Sequence, residues 1–307
     1  MGRGRAIAQR APAGADDIRA VQALASRLWP MGWHPGGLGW ALARNKLAQE
    51  VVIFDDADGL AGWAALDQPG SLLAQLDPSR PEAATQIVEW FLDAAEGLEL
   101  SVEVMDGDDA LSGALDRRGF RRAAEAGPVC GMSRPALARA PSLPGGYTVR
   151  CVQAAETSAR VEVHRAAWLP ASLPWHPEHR PRTEPGATSD FNERAYEAVR
   201  RTWLYDPELD LVAVDPDGNL AACCIAWFDP TTGVAEIEPL GVVPEHRRRG
   251  LAGALCREVA ARVGATGGRE VFINTAPDVA YPASSGAYAK AGFEVVTRGS
   301  TYRFGRR

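Results

Sequence analysis

Glu236 and Glu238 stand a few positions before a basic, glycine-containing turn, Arg247-Arg248-Arg249-Gly250. Residues two apart on an extended strand share a face, so both carboxylates would address the same space. A carboxylate held there can take a proton from an ammonium group, directly or through water; the alternative is a pair of solvent-facing strand residues. The turn offers different chemistry. The apolar run Ile237 to Val243 precedes it, and Leu251, Leu255, Val259 and Val263 follow at four-residue spacing. That order predicts strand, turn and helix, with Gly264 as the helix's C-terminal glycine. The N–H groups opening such a helix have no partner within it, and its dipole adds partial positive charge, which suits a phosphate or diphosphate. Gly250 lets the backbone approach the anion, and Arg247, Arg248 and Arg249 raise the local potential. The alternative is a basic loop that merely starts a core helix. No G-x-x-x-x-G-K-[ST] and no G-x-G-x-x-G after a strand competes with it. Tyr288, in Gly286-Ala287-Tyr288-x-x-x-Gly292-Phe293, carries a phenol whose ordinary pKa lies near that of a thiol. It suits protonation of a departing thiolate, or else packs a helix against a sheet. His176 and His179 have the spacing of a metal pair, but prolines bracket them and no third ligand is evident, so no metal site is expected.

These residues need a framework, and the chain spells one out twice. Ser285-Gly-Ala-Tyr288 through Gly292-Phe293 is echoed by Ser112-Gly-Ala-Leu115 through Gly119-Phe120. Leu211-Val-Ala-Val-Asp215 through Leu220-Ala221 is echoed by Val51-Val-Ile-Phe-Asp55 through Leu60-Ala61, in the same order. Repetition at this scale implies two copies of one domain. Between the copies, residues 136–146 are rich in Pro, Gly and Ala and read as a linker. The expected domains are therefore residues 1–135 and 147–307. Each half reads as strands and helices in mixed order, with hairpins over residues 51–65 and 211–227, which predicts an α/β (α+β) fold. The first copy lacks the anion loop: setting Asp77-Pro78 against Val243-Pro244 puts Pro81 opposite Arg247, Ala84 opposite Gly250 and Gln86 opposite Ala252. Ile87, Phe91 and Ala95 still give its next helix an apolar stripe, so this copy should fold without binding the anion.

The stretch Val242-x-Pro244-Glu245-x-Arg247-x-x-Gly250-x-Ala252 resembles the acyl-CoA pyrophosphate loop of the GNAT acyltransferase superfamily. The tandem organisation is similar to that of the mycothiol synthase-like proteins. The resemblance implies two tandem GNAT domains, each a mixed, mostly antiparallel sheet with helices on both faces. It implies that the strand before the loop splays from its neighbour at Pro239 and that pantetheine lies in the gap. Backbone groups of Leu240, Gly241 and Val242 would then meet the thioester, and Arg247, Arg248, Arg249, Gly250, Leu251, Ala252 and Gly253 the pyrophosphate. Tyr288 would protonate the leaving thiolate, with Glu238, or Glu236, as base. Many members place an asparagine seven residues before this tyrosine, where this chain has Tyr281; Asn274, Ser284 and Ser285 are left as alternative contacts. The implied function is an acetyl-CoA-dependent N-acyltransferase acting on a small-molecule primary amine by direct attack, with the second copy active. Other options are a different acyl donor, a carrier-bound acceptor, or a non-catalytic acyl-CoA-binding regulator.

The acceptor is expected at the segment Trp168 to Arg182, with Trp203, Tyr205 and Trp227 either walling its pocket or filling the core. Trp29, Trp33 and Trp40 of the first copy pose the same choice. A net charge of −6 over 307 residues argues against nucleic acid as a partner, and no apolar run is long enough for a membrane span. Five scattered cysteines form neither a disulfide framework nor a metal ladder, and the N-terminus lacks a signal-peptide pattern; the expected setting is cytoplasmic, as a monomer or homodimer.

Overall fold

A computed structural model describes residues 7–44, 51–124, 130–139, 143, 145–275 and 280–305. Part of the expected linker, residues 140–142 and 144, lies outside the described residues. The chain forms two compact units, one of residues 1–128 with 297–307 and one of residues 129–296. The first unit holds β1 (Ala8–Arg10), α1 (Ala15–Leu28), α2 (Pro35–Ala43), β2 (Val52–Asp56), β3 (Gly59–Gln68), β4 (Ser71–Leu76), α3 (Glu82–Ala94), β5 (Glu99–Met105), α4 (Asp109–Arg117) and β6 (Arg121–Arg122). The second holds β7 (Cys130–Pro135), β8 (Thr148–Cys151), α5 (Thr157–Ala167), α6 (Glu193–Val199), β9 (Asp210–Val214), β10 (Leu220–Asp229), β11 (Val234–Val242), α7 (Leu251–Ala265), β12 (Glu270–Thr275) and α8 (Pro282–Lys290). The last strand, β13 (Glu294–Gly305), begins in the second unit and ends in the first.

This division differs from the sequence-based boundaries at two places. Residues 130–135 pair antiparallel with β12 and so belong with the second unit. Residues 299–305 pair antiparallel with β5 and complete the first unit's sheet. Boundaries drawn at a linker cannot anticipate strands that pair far from their sequence neighbours.

The expected hairpins form in both units, β2 with β3 and β9 with β10. In the second unit β8, β9, β10 and β11 follow one another antiparallel, and β12 joins β11 in parallel. Alternation along β10 and β11 buries both faces. Ala235 and Ile237 pack with Leu251, Leu255, Val259 and Val263 of α7, while Cys223 packs with Val163 and Ala167 of α5. The first unit repeats the plan, with α3 and α4 over one face and α1 and α2 over the other. Helices therefore cover both faces of each sheet, and the alternating period of the strands makes this possible.

Helix α7 departs from expectation at its C-terminus. Gly264 is helical, the cap falls at Thr266, and Gly267 takes the left-handed conformation with φ 84°. Gly264 is needed for space, since a Cβ there would lie 2.3 Å from the Leu137 carbonyl oxygen. Trp33 and Trp40 pack within the first unit, Trp33 edge-on to Trp63 and Trp40 at 4 % exposure, and Trp29 packs edge-on to His34.

A buried polar cluster anchors α5 and α6 to β9. The Arg160 Nε donates to Asp210 at 2.9 Å, and the Tyr196 and Tyr205 hydroxyls donate to the same carboxylate at 2.7 and 3.0 Å. Arg160 and Asp210 are wholly buried, so removing either would leave an uncompensated charge in the core. Burial and the neighbouring Asp210 raise both phenols, Tyr205 up to about 12. The irregular segment between α5 and α6 is thus held at both ends.

Candidate active site

Strands β11 and β12 pair only at Val234↔Glu270, Ala235↔Val271 and Glu236↔Phe272. Beyond Ile237 they part. From Ile237↔Ala226 to Leu240↔Cys224, β11 advances three residues and β10 two, so β11 bulges at Glu238 and Pro239. Proline has no N–H for the ladder, and the Trp227 indole instead donates to the Glu238 carbonyl at 2.6 Å. Gly241 faces the end of α5, where a Cβ would lie 2.8 Å from the Ala167 Cβ and 3.1 Å from the Trp168 Nε1. No larger residue fits there.

The turn after β11 ends at Gly250, which caps α7 with φ 83°; Arg248 also takes positive φ, at 62°. Left-handed backbone is ordinary for glycine and costly for most other residues. No side chain caps α7, and among the described residues no partner takes the N–H groups of Arg248 to Gly253. Unpaired donors converging at a helix start fit a diphosphate.

A cavity of about 980 Å³ joins the parted strands to this turn. It is lined by Glu238, Leu240, Gly241, Val242, Arg247, Arg248, Gly250, Leu251, Ala252 and Gly253, and by Asn274, Tyr281, Ser284 and Tyr288 across the gap. Its size lies within the range of small-molecule sites. The Tyr288 side chain is 8 % exposed, and its hydroxyl makes no hydrogen bond among the described residues. Burial, then Cys256, Glu238 and Tyr281, push this phenol well above its ordinary value, so it stays protonated at neutral pH.

Residues 167–293 match the model of the acetyltransferase (GNAT) family. They form a GNAT acetyltransferase domain. Over nearly its whole length the chain also resembles solved structures of this fold. With a GCN5-related N-acetyltransferase from Sphaerobacter thermophilus it shares 22% identity at TM-score 0.56, over 97% of this chain and 95% of that one. With a tandem GNAT protein from the clavulanic acid biosynthesis pathway the values are 15% and 0.58, over 97% and 98%. With a GNAT-family acetyltransferase from Colwellia psychrerythraea they are 15% and 0.59, over 97% and 99%. No match is found among curated proteins. The fold of the tandem GNAT protein is shared over nearly the whole chain, and residues 167–293 carry the match to the acetyltransferase family.

Within the GNAT domain the predicted residues divide. Glu236 does not line the cavity. It is 1 % exposed and accepts from the Asn274 Nδ2 at 2.8 Å, so each of this pair occupies the other. Ser285 lies outside the cavity and donates to the Pro282 carbonyl of its own helix, whereas Ser284 lines it and bonds Thr275 and the Tyr281 carbonyl. Arg247 is a strut. Its Nε donates to the Val242 carbonyl at 3.1 Å, Nη2 to the Ala167 carbonyl at 3.1 Å, and Nη1 to the Ser172 carbonyl. Arg249 leans on the Tyr147 hydroxyl at 3.3 Å and does not line the cavity. Of the three arginines only Arg248 lines the cavity and makes no hydrogen bond or ion pair among the described residues.

Trp227 is wholly buried, and neither it nor Trp203 nor Tyr205 lines the cavity. Trp168, Leu173, Pro174 and Trp175 do. The histidine pair has a third neighbour the sequence reading overlooked: atoms of His176, Glu178 and His179 lie within 4.8 Å of one another. The reading also missed Arg257 and Lys290, which line the cavity, and His246, whose Nδ1 meets the Tyr147 hydroxyl at 2.7 Å. Arg257 was findable: it lies two positions before Val259 on a helix already predicted.

Proposed function

We propose that the chain transfers an acetyl or similar acyl group from CoA to a primary amine by direct attack, in the second unit. One observation carries this reading: the unpaired N–H groups around Gly250, the parted edges of β11 and β12, Glu238 and Tyr288 all border one cavity. The donor's diphosphate would sit at Arg248 to Gly253, with Arg248 as free cation, and its pantetheine in the gap between the strands. Glu238, directly or through water, accepts the proton from the acceptor's ammonium. The neutral nitrogen adds to the thioester carbonyl carbon, the C–N bond forms and the C–S bond breaks. The departing thiolate takes the Tyr288 proton, and the adduct nitrogen gives up its second proton, through water, to the Tyr288 phenolate, leaving amide, free CoA and a neutral phenol. Glu236, bonded to Asn274, is better placed to hold that amide than to act as base.

The test is free-thiol release from acetyl-CoA in the presence of an amine panel, with Tyr288→Phe alongside. Amine-dependent release that Tyr288→Phe slows without weakening acetyl-CoA binding supports the reading. Binding without release for any amine would leave an acyl-CoA-binding regulator.

A further inference from the structure

We propose that the acceptor is a singly charged amine on an apolar, aromatic body. This deepens the transfer reading above and rests on it. The argument is the distribution of charge around the cavity. Among the described lining residues the basic side chains belong to the turn, α7 and α8: His246, Arg247 and Arg248, then Arg257 and Lys290. Arg247 is consumed by carbonyl oxygens and His246 by Tyr147, which leaves Arg248, Arg257 and Lys290 for the donor's phosphates. The only carboxylate lining the cavity among those residues is Glu238, on the bulge.

Apart from Arg247, bonded to the Ala167 and Ser172 carbonyls, the wall on the α5 side has no charged side chain. Trp168, Leu173, Pro174 and Trp175 supply it, with Tyr281 from the head of α8. The Trp175 and Tyr281 rings meet edge to face, with centroids 4.9 Å apart. Trp168 stacks on His164, lies against Gly241 and is still 37 % exposed. The segment bearing these residues is fixed to its surroundings. The Arg247 guanidinium ties it through Ser172, and the His176 N–H donates to the Ala280 carbonyl at 2.9 Å.

Such a wall selects. One ammonium finds one carboxylate and aromatic faces that attract a cation. An apolar body gains about 25 cal/mol per Å² that it buries. A polyamine or an aminoglycoside would bring further ammonium groups into apolar surroundings with no carboxylate to meet them, which is costly. An amino acid would bring a carboxylate to a wall whose guanidinium, Arg247, already gives four of its five N–H groups to oxygens of Val242, Ala167 and Ser172.

The experiment uses the full chain, acetyl-CoA and thiol release with tryptamine, 2-phenylethylamine, spermidine, kanamycin and glycine. Tryptamine or 2-phenylethylamine should exceed the other three in kcat/KM by at least about tenfold, the difference one well-buried ring contact makes. Trp175→Ala should raise the KM for the preferred aromatic amine by about tenfold and leave acetyl-CoA affinity by calorimetry unchanged, while Trp175→Phe restores most of the loss. Preference for spermidine, kanamycin or glycine, or an aromatic-amine KM indifferent to Trp175→Ala, overturns the acceptor class and leaves acyl transfer standing. Absence of release with every amine, acetyl-CoA binding intact, overturns the transfer reading and this proposal with it.

Discussion

The Asp77 N–H donates to the Ala61 carbonyl at 2.8 Å, and the Val243 N–H donates to the Ala221 carbonyl at 3.1 Å. Three residues on, Arg80 closes a turn onto Asp77 as His246 does onto Val243, at 2.9 and 3.0 Å. The two units leave their central strands alike and then diverge. Five residues, 77–81, separate β4 from α3, whereas eight, 243–250, separate β11 from α7. The three extra residues make room for the left-handed Arg248 and Gly250. In the first unit Pro81, with ordinary helical φ and ψ and no N–H, is the cap, and the Ala83 and Ala84 N–H groups turn back onto Arg80 and Pro81. The Arg80 guanidinium is taken by Asp56 at 2.5 Å and by the Gly59 carbonyl at 2.9 Å. The neighbouring hollow of about 590 Å³ carries Asp58 and Asp77 beside Arg27 and Arg80, so no net positive field awaits an anion. An anion site of this kind is a loop length and a glycine before it is a set of arginines.

The comparison breaks most readily at Gly250. Gly250→Glu adds a charged side chain at a left-handed position facing the diphosphate site. Calorimetry should show one acetyl-CoA per wild-type chain and loss of affinity by more than about a hundredfold in the variant, with the circular dichroism spectrum retained. Two equivalent sites in the wild type would mean that the first unit's turn binds after all.

The next largest effect separates Tyr288 from Leu115, its counterpart in the repeat. Both occupy equivalent places in their units: Gly292 and Gly119 share φ 89°, and the Phe293 and Phe120 N–H groups return to the Tyr288 and Leu115 carbonyls. Tyr288→Phe should lower kcat by roughly tenfold to a thousandfold, the range for a lost general acid, with acetyl-CoA affinity nearly unchanged. Because burial raises the phenol, no descending limb from Tyr288 should appear in the kcat profile below about pH 10. Equal losses in binding and turnover would make Tyr288 a packing residue like Leu115.

Much of this was legible in the sequence. The period of Leu251, Leu255, Val259 and Val263 set the buried face of α7, and both hairpins lie where the repeats placed them. The cavity borders Glu238, Tyr288 and the turn, all residues singled out by type and spacing. What stayed hidden depends on distance in sequence. The donors of Arg247 point to Ala167 and Ser172, and β13 pairs with β5 in the other half. Period two puts Glu236 and Glu238 on one face of a regular strand, but β11 bulges at Glu238, which lines the cavity, while Asn274 on another strand occupies Glu236.

A smaller effect tests the other gap. β4 and β5 pair at only two positions before parting, and β11 and β12 at three. In the second unit Asn274 and Glu236 satisfy each other there, whereas Glu103 on β5 makes no hydrogen bond among the described residues. Burial, with Asp67 nearby, pushes its carboxyl up to about 7 from an ordinary 4.5. Between those values the folded state holds a proton that the unfolded state has released, so stability falls as pH rises through that window. Glu103→Gln should remove that slope and stabilise the chain above pH 7 by about 3 kcal/mol in denaturant titrations. An unchanged pH slope would show that the first unit's gap is as well solvated as an open surface.

The smallest effect concerns a serine that both units keep. Ser285 and Ser112 occupy matching places in the repeat, although only one unit retains the long turn. A residue kept where the ligand loop is lost serves the helix more than the ligand. The Ser285 hydroxyl donates within α8 to Pro282 at 3.4 Å, away from the cavity, while its neighbour Ser284 lines the cavity and links α8 to Thr275 at the end of β12. Ser285→Ala should therefore leave the KM for acetyl-CoA within about twofold. Ser284→Ala, losing one hydrogen bond of about 1 kcal/mol, should raise it about fivefold. The reverse ranking in steady-state kinetics would mean that α8 turns its other face to the donor and that the shared serine belongs to the site.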